Sequence, residues 1–270
     1  MRACCKRFAS WWKECRRCFR KHLEFVEPVA KPFLTAEWRW LVMLNYEIAP
    51  GVLQPFVPAG TELDEWEGKT FVSMVGFLFQ ETRIRGMAIP FHSTFEEVNL
   101  RFYVRRLTSE GWRRAVVFIK ELVPRRAIAW TARVFYNENY VALPMSHEWQ
   151  LEPDGGMRKV SYDWEFRVRK NRLVVLATGE PKKLREGSNE EFITEHYWGY
   201  ARQRDGGTVE YQVEHPRWRV WPAQSALLEC DVEGLYGRSF AEFLRKPPAT
   251  AFLADGSPVT VFRGRRLLLK

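Results

Sequence analysis

The chain has 270 residues, 46% of them hydrophobic and 28% charged, with twelve Trp, nineteen Phe and a net charge of +9. This is a globular composition with enough aromatic bulk for a large core. No run of about 18 apolar residues occurs, which argues against a transmembrane helix.

The charge is unevenly placed. Residues 1–24 hold eight Lys or Arg against Glu14 and Glu24. The rest of the chain carries only +3, so the body lacks the basic stripe of a nucleic-acid-binding domain, and no nucleic-acid partner is expected. Cys4, Cys5, Cys15 and Cys18 share that basic segment, while Cys230 is alone in the body. A secreted disulfide framework would spread its cysteines through the fold, so a cytoplasmic protein is expected.

Residues 1–28 read as a basic, Cys- and Trp-rich arm, and 29–270 as a single domain. In the arm Phe8, Trp11, Trp12, Cys15, Cys18, Phe19 and Leu23 fall near helical spacing, with basic residues on the other face. Three readings stand. The arm is a loosely docked extension, or residues 1–24 form a helix making weak contact with a membrane surface or a partner. The third is zinc: Cys15-x-x-Cys18 supplies one ligand pair, but adjacent Cys4 and Cys5 are poorly spaced for the second. A signal peptide would need an uninterrupted apolar stretch, which is missing.

In the body, Ala36–Glu47 reads as a strand and Ala49–Gly60 as loop or short helical turn, broken by Pro50, Pro55 and Pro58. After a turn at Glu67-Gly68 comes a long apolar strand, Lys69–Gln80. Thr94–Arg106 follows, and there Val98, Leu100, Phe102 and Val104 alternate with Glu97, Asn99, Arg101 and Tyr103. Period two over this length is a strand with one apolar and one polar face. The polar face carries a carboxylate, an amide, a guanidinium and a phenol in a row. Either it is a solvated face with a cross-strand ion pair, or it is the wall of a polar pocket. Residues two apart on a strand lie roughly 7 Å apart, close enough for their tips to converge on one small ligand.

Strands are predicted at Ala115–Leu122, Ala127–Tyr136 and Leu143–Leu151. A hairpin follows from Lys159–Val168 and Arg172–Thr178. Ser188-Asn189-Glu190-Glu191 is a capping box that starts a helix over about 189–198. Strands are expected at Thr208–Val213 and Arg217–Pro222, a helix at Tyr236–Leu244 and a last strand at Val259–Arg263. Many strands, few helices and regular turns predict a mostly β (α+β) domain, a large antiparallel barrel-like sheet able to enclose a cavity.

Catalytic and cofactor motifs are missing. There is no P-loop, G-x-G-x-x-G, G-x-S-x-G or H-E-x-x-H, and no cofactor or metal is expected. Cys230 lies beside Asp231, a neighbour that raises a thiol pKa, and reads as a core residue. Lesser site candidates are Glu195 and Tyr197 at the end of the first helix, His215 before Pro216, and Lys120. Lys120 is either an edge-strand charge or an amine of lowered pKa. His215 also reads as a residue that simply bonds a loop carbonyl.

The segments PFLTAEWRWLVMLNYEI, FVPAGTELDEWEGKTFVSMVGF, FEEVNLRFYV, EFITEHYWGY and VEHPRW resemble, in this order, the YqjF-like family of uncharacterised bacterial proteins. The resemblance spans about residues 31–265, and Glu97–Val104 is its most specific block. It implies the fold of acetoacetate decarboxylase, a barrel-like domain around a central cavity. It also implies where that enzyme's Schiff-base lysine and the adjacent lysine would fall: after a stretch resembling Ala127–Tyr136. Here Asn137-Glu138-Asn139-Tyr140 follows, and no Lys lies between Arg126 and Lys159.

The expectation is a protein that binds a small polar or anionic organic molecule in the barrel through Glu97, Asn99, Arg101 and Tyr103, without that lysine. Arg101 would hold a carboxylate or enolate, Glu97 would orient Arg101 or bind a ligand hydroxyl, and Asn99 and Tyr103 would add neutral hydrogen bonds. Two alternatives are a lyase or isomerase with Glu97 or Glu195 as general base and Arg101 on an oxyanion, and a membrane-surface protein using the arm. The sequence leaves ligand identity and oligomeric state open.

Overall fold

The computed structural model of the chain describes residues 32–88, 90, 92–125, 139–151 and 157–268. The arm and the strand expected over Ala127–Tyr136 lie outside them. In chain order the elements are β1 (Pro32–Ile48), α1 (Pro50–Leu53), β2 (Glu62–Leu63), β3 (Thr70–Ile84), β4 (Met87–Ala88), β5 (Phe95–Thr108) and β6 (Gly111–Val123). Next come β7 (Tyr140–Ala142), β8 (Met145–Leu151), β9 (Met157–Phe166), β10 (Arg169–Thr178), β11 (Lys182–Lys183) and α2 (Asn189–Thr194). The last are β12 (Trp198–Arg202), β13 (Thr208–Glu214), β14 (Arg219–Glu229), α3 (Val232–Tyr236), α4 (Arg238–Leu244), β15 (Thr250–Phe262) and β16 (Arg265–Arg266).

Seven strands close into a ring. β1 pairs with β3 and β15, β3 with β5, β5 with β6, β6 with β12 and β12 with β13, and β13 returns to β15. The expected antiparallel pattern holds around the ring except at β6–β12, which is parallel. From β15 the sheet continues through β14 to β10, β9 and β8, a second layer beside the ring.

Both faces of β5 are buried, and this is what makes the lumen. Val98, Leu100, Phe102 and Val104 share an outer core with Val160, Tyr162 and Leu173 of the second layer and with Leu235 and Phe240 of α3 and α4. The odd-numbered residues face into the ring. Glu97, Asn99, Arg101 and Tyr103 are 3%, 1%, 8% and 1% exposed, so the polar face is not a solvated one.

Closure of a seven-stranded ring needs sharp local bends, and bulges supply them. β1 slips register against β3 between Arg39 and Val42, with Trp40 at φ 57°, and β3 carries Glu81 at φ 51° near its own slip. Opposite the first bulge, Gly256 sits at φ 79°, and a Cβ there would lie 1.9 Å from the Trp38 carbonyl oxygen. Only glycine fits that approach. This explains why β15 starts at Thr250 although its strand is expected only from Val259. Asp255-Gly256-Ser257-Pro258 has the composition of a turn but is a bent strand passing close to β1. The helix expected over Tyr236–Leu244 is α4, Arg238–Leu244, and α3 precedes it across Gly237 at φ 96°.

Candidate functional site

The lumen of the ring is a cavity of about 230 Å³. Every ring strand contributes a wall: Trp38 and Leu41 from β1, Phe77 and Phe79 from β3, Arg101 from β5, Phe118 from β6, Trp198 from β12, Tyr211 from β13 and Val261 from β15. Most of the wall is aromatic or aliphatic. Polar groups line it from β5, from the end of β6 and from the segment after α2, and Thr82, His92, Tyr140 and His215 stand elsewhere on the wall.

On β5, Glu97, Asn99 and Arg101 line the cavity. Asn99 Nδ2 donates to Glu97 Oε1 at 2.9 Å, and the Tyr140 hydroxyl donates to Oε2 at 3.1 Å. Burial pushes the Glu97 pKa up to about 7, although these two bonds and the Arg101 charge pull the other way. The expected pairing of Glu97 with Arg101 does not form, because Asn99 stands between them on the strand and takes the carboxylate. Arg101 Nη2 donates to the Ile193 carbonyl at 3.4 Å, and its Nε has no hydrogen-bond partner among the described residues. Among the described residues no carboxylate forms an ion pair with Arg101.

Tyr103, the fourth residue of the row, does not line the cavity. Its hydroxyl and Ser73 Oγ are 2.6 Å apart, and Ser73 also donates to Asn45 Oδ1 at 2.6 Å. The chain of bonds continues through Thr250 to Asn189 at the start of α2. Tyr103 thus belongs to a chain of bonds that ties four strands, β5, β3, β1 and β15, to α2.

β6 decides between Lys120 and Glu121. Val116 and Phe118 face the lumen, and unbroken alternation would send Lys120 there next. Instead, β6 bulges: Arg101 pairs with Phe118 and Leu100 with Lys120, so Ile119 is the extra residue. The bulge turns Glu121 into the cavity opposite Asn99. Lys120 points to the outer core, where it donates to the Leu235 carbonyl beside the Tyr236 ring and burial lowers its pKa. It is thus an amine of lowered pKa, as one of the two readings has it, but it does not line the cavity.

α2 has the predicted cap, since Ser188 Oγ accepts from the Glu191 N–H at 3.2 Å. The helix stops at Thr194, four residues earlier than expected. The chain beyond it alternates: Thr194, His196 and Trp198 line the cavity, and Glu195 and Tyr197 do not. Those two bond each other at 2.5 Å, with Arg217 Nε 3.5 Å from Glu195. His196 is the cavity residue of that cluster, and a helical reading of residues 195–198 conceals it. Its ring packs 4.7 Å from Tyr103. Its Nε2 is 3.6 Å from Asp64 Oδ2, which accepts from Arg114 at 2.6 Å, and neither His196 nitrogen has a hydrogen-bond partner among the described residues. Burial pushes the His196 pKa down to about 4, so the ring is neutral at physiological pH. His215 also lines the cavity, stacked 4.4 Å from Trp218, with Nδ1 3.0 Å from the Pro216 carbonyl.

Outside the lumen, Cys230 packs at the edge of the outer core, and burial pushes its thiol up to about 12. Among the described residues no group of three His, Cys, Asp or Glu is placed to hold a metal ion. No helix among them is long and apolar enough to cross a membrane.

The fold has known counterparts. The chain matches the enduracididine biosynthesis enzyme MppR, in its complex with pyruvate, with a TM-score of 0.65 at 14% identity, covering 91% of this chain and 93% of that one. It matches acetoacetate decarboxylase from Legionella pneumophila with a TM-score of 0.60 at 13% identity, covering 93% and 95%. In sequence it is 26% identical to the uncharacterized protein YqjF of Bacillus subtilis over 196 residues, 72% of this chain and 76% of YqjF. A family model described as an uncharacterized conserved protein, DUF2071, matches residues 35–258. The chain is therefore a member of the DUF2071 family, with the fold of the acetoacetate decarboxylase-like proteins.

Proposed function

We propose that the lumen binds a small organic molecule carrying one anionic group, held by Arg101, and that no Schiff-base lysine takes part. Arg101 carries this reading: a buried guanidinium, Nε unpartnered, with no carboxylate paired to it among the described residues. A charge taken out of water without a counter-ion is costly. A carboxylate in the lumen would offset that cost through charge-assisted bonds to the planar fork. Asn99, Glu97 and His196 would meet the rest of the head group. MppR has been solved with pyruvate, which is a reason to try a carboxylate first. No Lys is among the described residues lining the cavity, and the chain between Arg126 and Lys159 contains none.

Calorimetric titration of the full chain with pyruvate tests the anion site. Arg101→Leu should weaken binding by about tenfold or more, the worth of a charge-assisted bond. Equal affinity in the variant would remove Arg101 from the site. Borohydride added with acetoacetate should trap no adduct, and an adduct mapped to any lysine would refute the lysine-free reading.

A lyase or isomerase is the second reading, favoured by the Glu97 pKa of about 7. A carboxyl balanced near neutrality can take and return a proton, and the Arg101 charge would favour an enolate oxygen. Exchange of solvent deuterium into the pyruvate methyl group, lost in Glu97→Gln, is the expected signature. No exchange above the protein-free rate leaves binding alone.

A further inference from the structure

The lumen is far more apolar than a three-carbon acid requires. Phe79 and Phe95 stack with centroids 4.6 Å apart, and Phe77 lies 5.1 Å from Phe79. Trp38 joins this group edge-on, 5.3 Å from Phe77, and reaches Trp218 at 6.3 Å. Phe118 faces the same space from β6. A molecule the size of pyruvate, anchored on Arg101, would leave most of this surface without a partner. Apolar wall of this extent contributes affinity only when apolar ligand surface is buried against it.

The polar end narrows the head group. Among the buried side chains that line the cavity, Asn99 Oδ1, Arg101 Nε and both nitrogens of His196 have no hydrogen-bond partner among the described residues, and on β3 Thr82 Oγ1 has none either. Arg101 can only donate, Asn99 Oδ1 can only accept, and a neutral imidazole does one of each. One head group satisfies all three if it offers anionic oxygens and, next to them, a hydroxyl or enol hydrogen.

Building on the anion-binding reading of Arg101, we infer that the ligand is an aryl-substituted monocarboxylate with an oxygen on the adjacent carbon, of the arylpyruvate or aryllactate class. The carboxylate and its neighbouring oxygen meet Arg101, His196 and Asn99. The ring lies among Trp38, Phe77, Phe79 and Phe118, where flat apolar groups pack edge-on or offset.

The test is calorimetric titration of the full chain with phenylpyruvate, phenyllactate, pyruvate and uncharged indole. The first two should bind at least about tenfold more tightly than pyruvate, the gain expected from burying a phenyl ring. Phe118→Ala should weaken phenylpyruvate and leave pyruvate unchanged, and Arg101→Leu should weaken both acids and leave indole unchanged. Equal affinity for pyruvate and phenylpyruvate, with Arg101→Leu weakening both, overturns the aryl inference and spares the anion site. Binding of indole with no binding of any acid overturns both. Circular dichroism of each variant, matched to the parent, keeps a misfolded variant from being counted as a loss.

Discussion

Glu97 and His196 are buried in one lumen with opposite preferences for the proton, and their titrations oppose each other. The folded pKa of Glu97, about 7, lies above its ordinary 4.5. Its stabilising effect is complete below pH 4.5 and is lost as pH rises to 7, at a cost of roughly 3 kcal/mol. The folded pKa of His196, about 4, lies below its ordinary 6.5. Its effect is complete above pH 6.5 and is lost as pH falls to 4, by a similar amount of roughly 3 kcal/mol. Between pH 4.5 and 6.5 the two slopes nearly cancel. Glu97→Gln removes one of them. Urea midpoints should show this variant gaining on the parent by roughly 3 kcal/mol between pH 4.5 and 8. Parallel pH profiles would mean that Glu97 ionises like an exposed carboxylate. For the proposed ligand, an anion on Arg101 would favour protonated Glu97, so carboxylate affinity should fall as pH rises past 7.

Among the elements, the β9–β10 hairpin is built against its own sequence. Phe166 pairs with Arg169 across a two-residue loop, and both loop residues have positive φ, Arg167 at 48° and Val168 at 60°. This turn geometry favours Asn-Gly, and a β-branched residue in it is strained. Replacing Arg167-Val168 by Asn-Gly should stabilise the protein by about 1 kcal/mol, seen as a thermal midpoint higher by a few degrees. An unchanged midpoint would show that the strain is relieved elsewhere. Strands were legible wherever alternation was long, as in Phe95–Thr108, because one residue in two must face a core. The inward face of β5 was legible for the same reason, and of its four polar residues Glu97, Asn99 and Arg101 line the cavity while Tyr103 does not. Glu121, Tyr140 and His196 were not. A one-residue bulge at Ile119 reverses which side chains face inward, and no local propensity marks it. His196 was hidden by a helix that ends at Thr194, where the chain turns toward β12. The arm and the Ala127–Tyr136 strand lie outside the described residues.

At the scale of the molecule, the ring is not equally secured all the way round. β1 pairs with β3 and with β15 along most of its length. The β12–β13 hairpin meets β6 through two residue pairs, Trp198–Ala115 and Gly199–Val116, and meets β15 through two more, Val213–Val261 and Glu214–Thr260. The buried carboxylate of Glu210 strengthens the middle of the hairpin, accepting bonds from Arg113, Arg265 and Tyr200. Both short seams lie at the same end of the hairpin, and Trp198 and Val213 at that end line the lumen. Native-state hydrogen exchange should find the amides of these seams opening well below the free energy of the β1–β3 ladder, and phenylpyruvate should slow them. Uniform protection around the ring would contradict this. The consequence is kinetic. With so few backbone rungs at that end, the Trp198–Val213 end of this stave is where the ring would open first, and the proposed ligand would enter there. The observed rate of ligand uptake should then level off with concentration at the opening rate of that end, instead of climbing toward the diffusion limit.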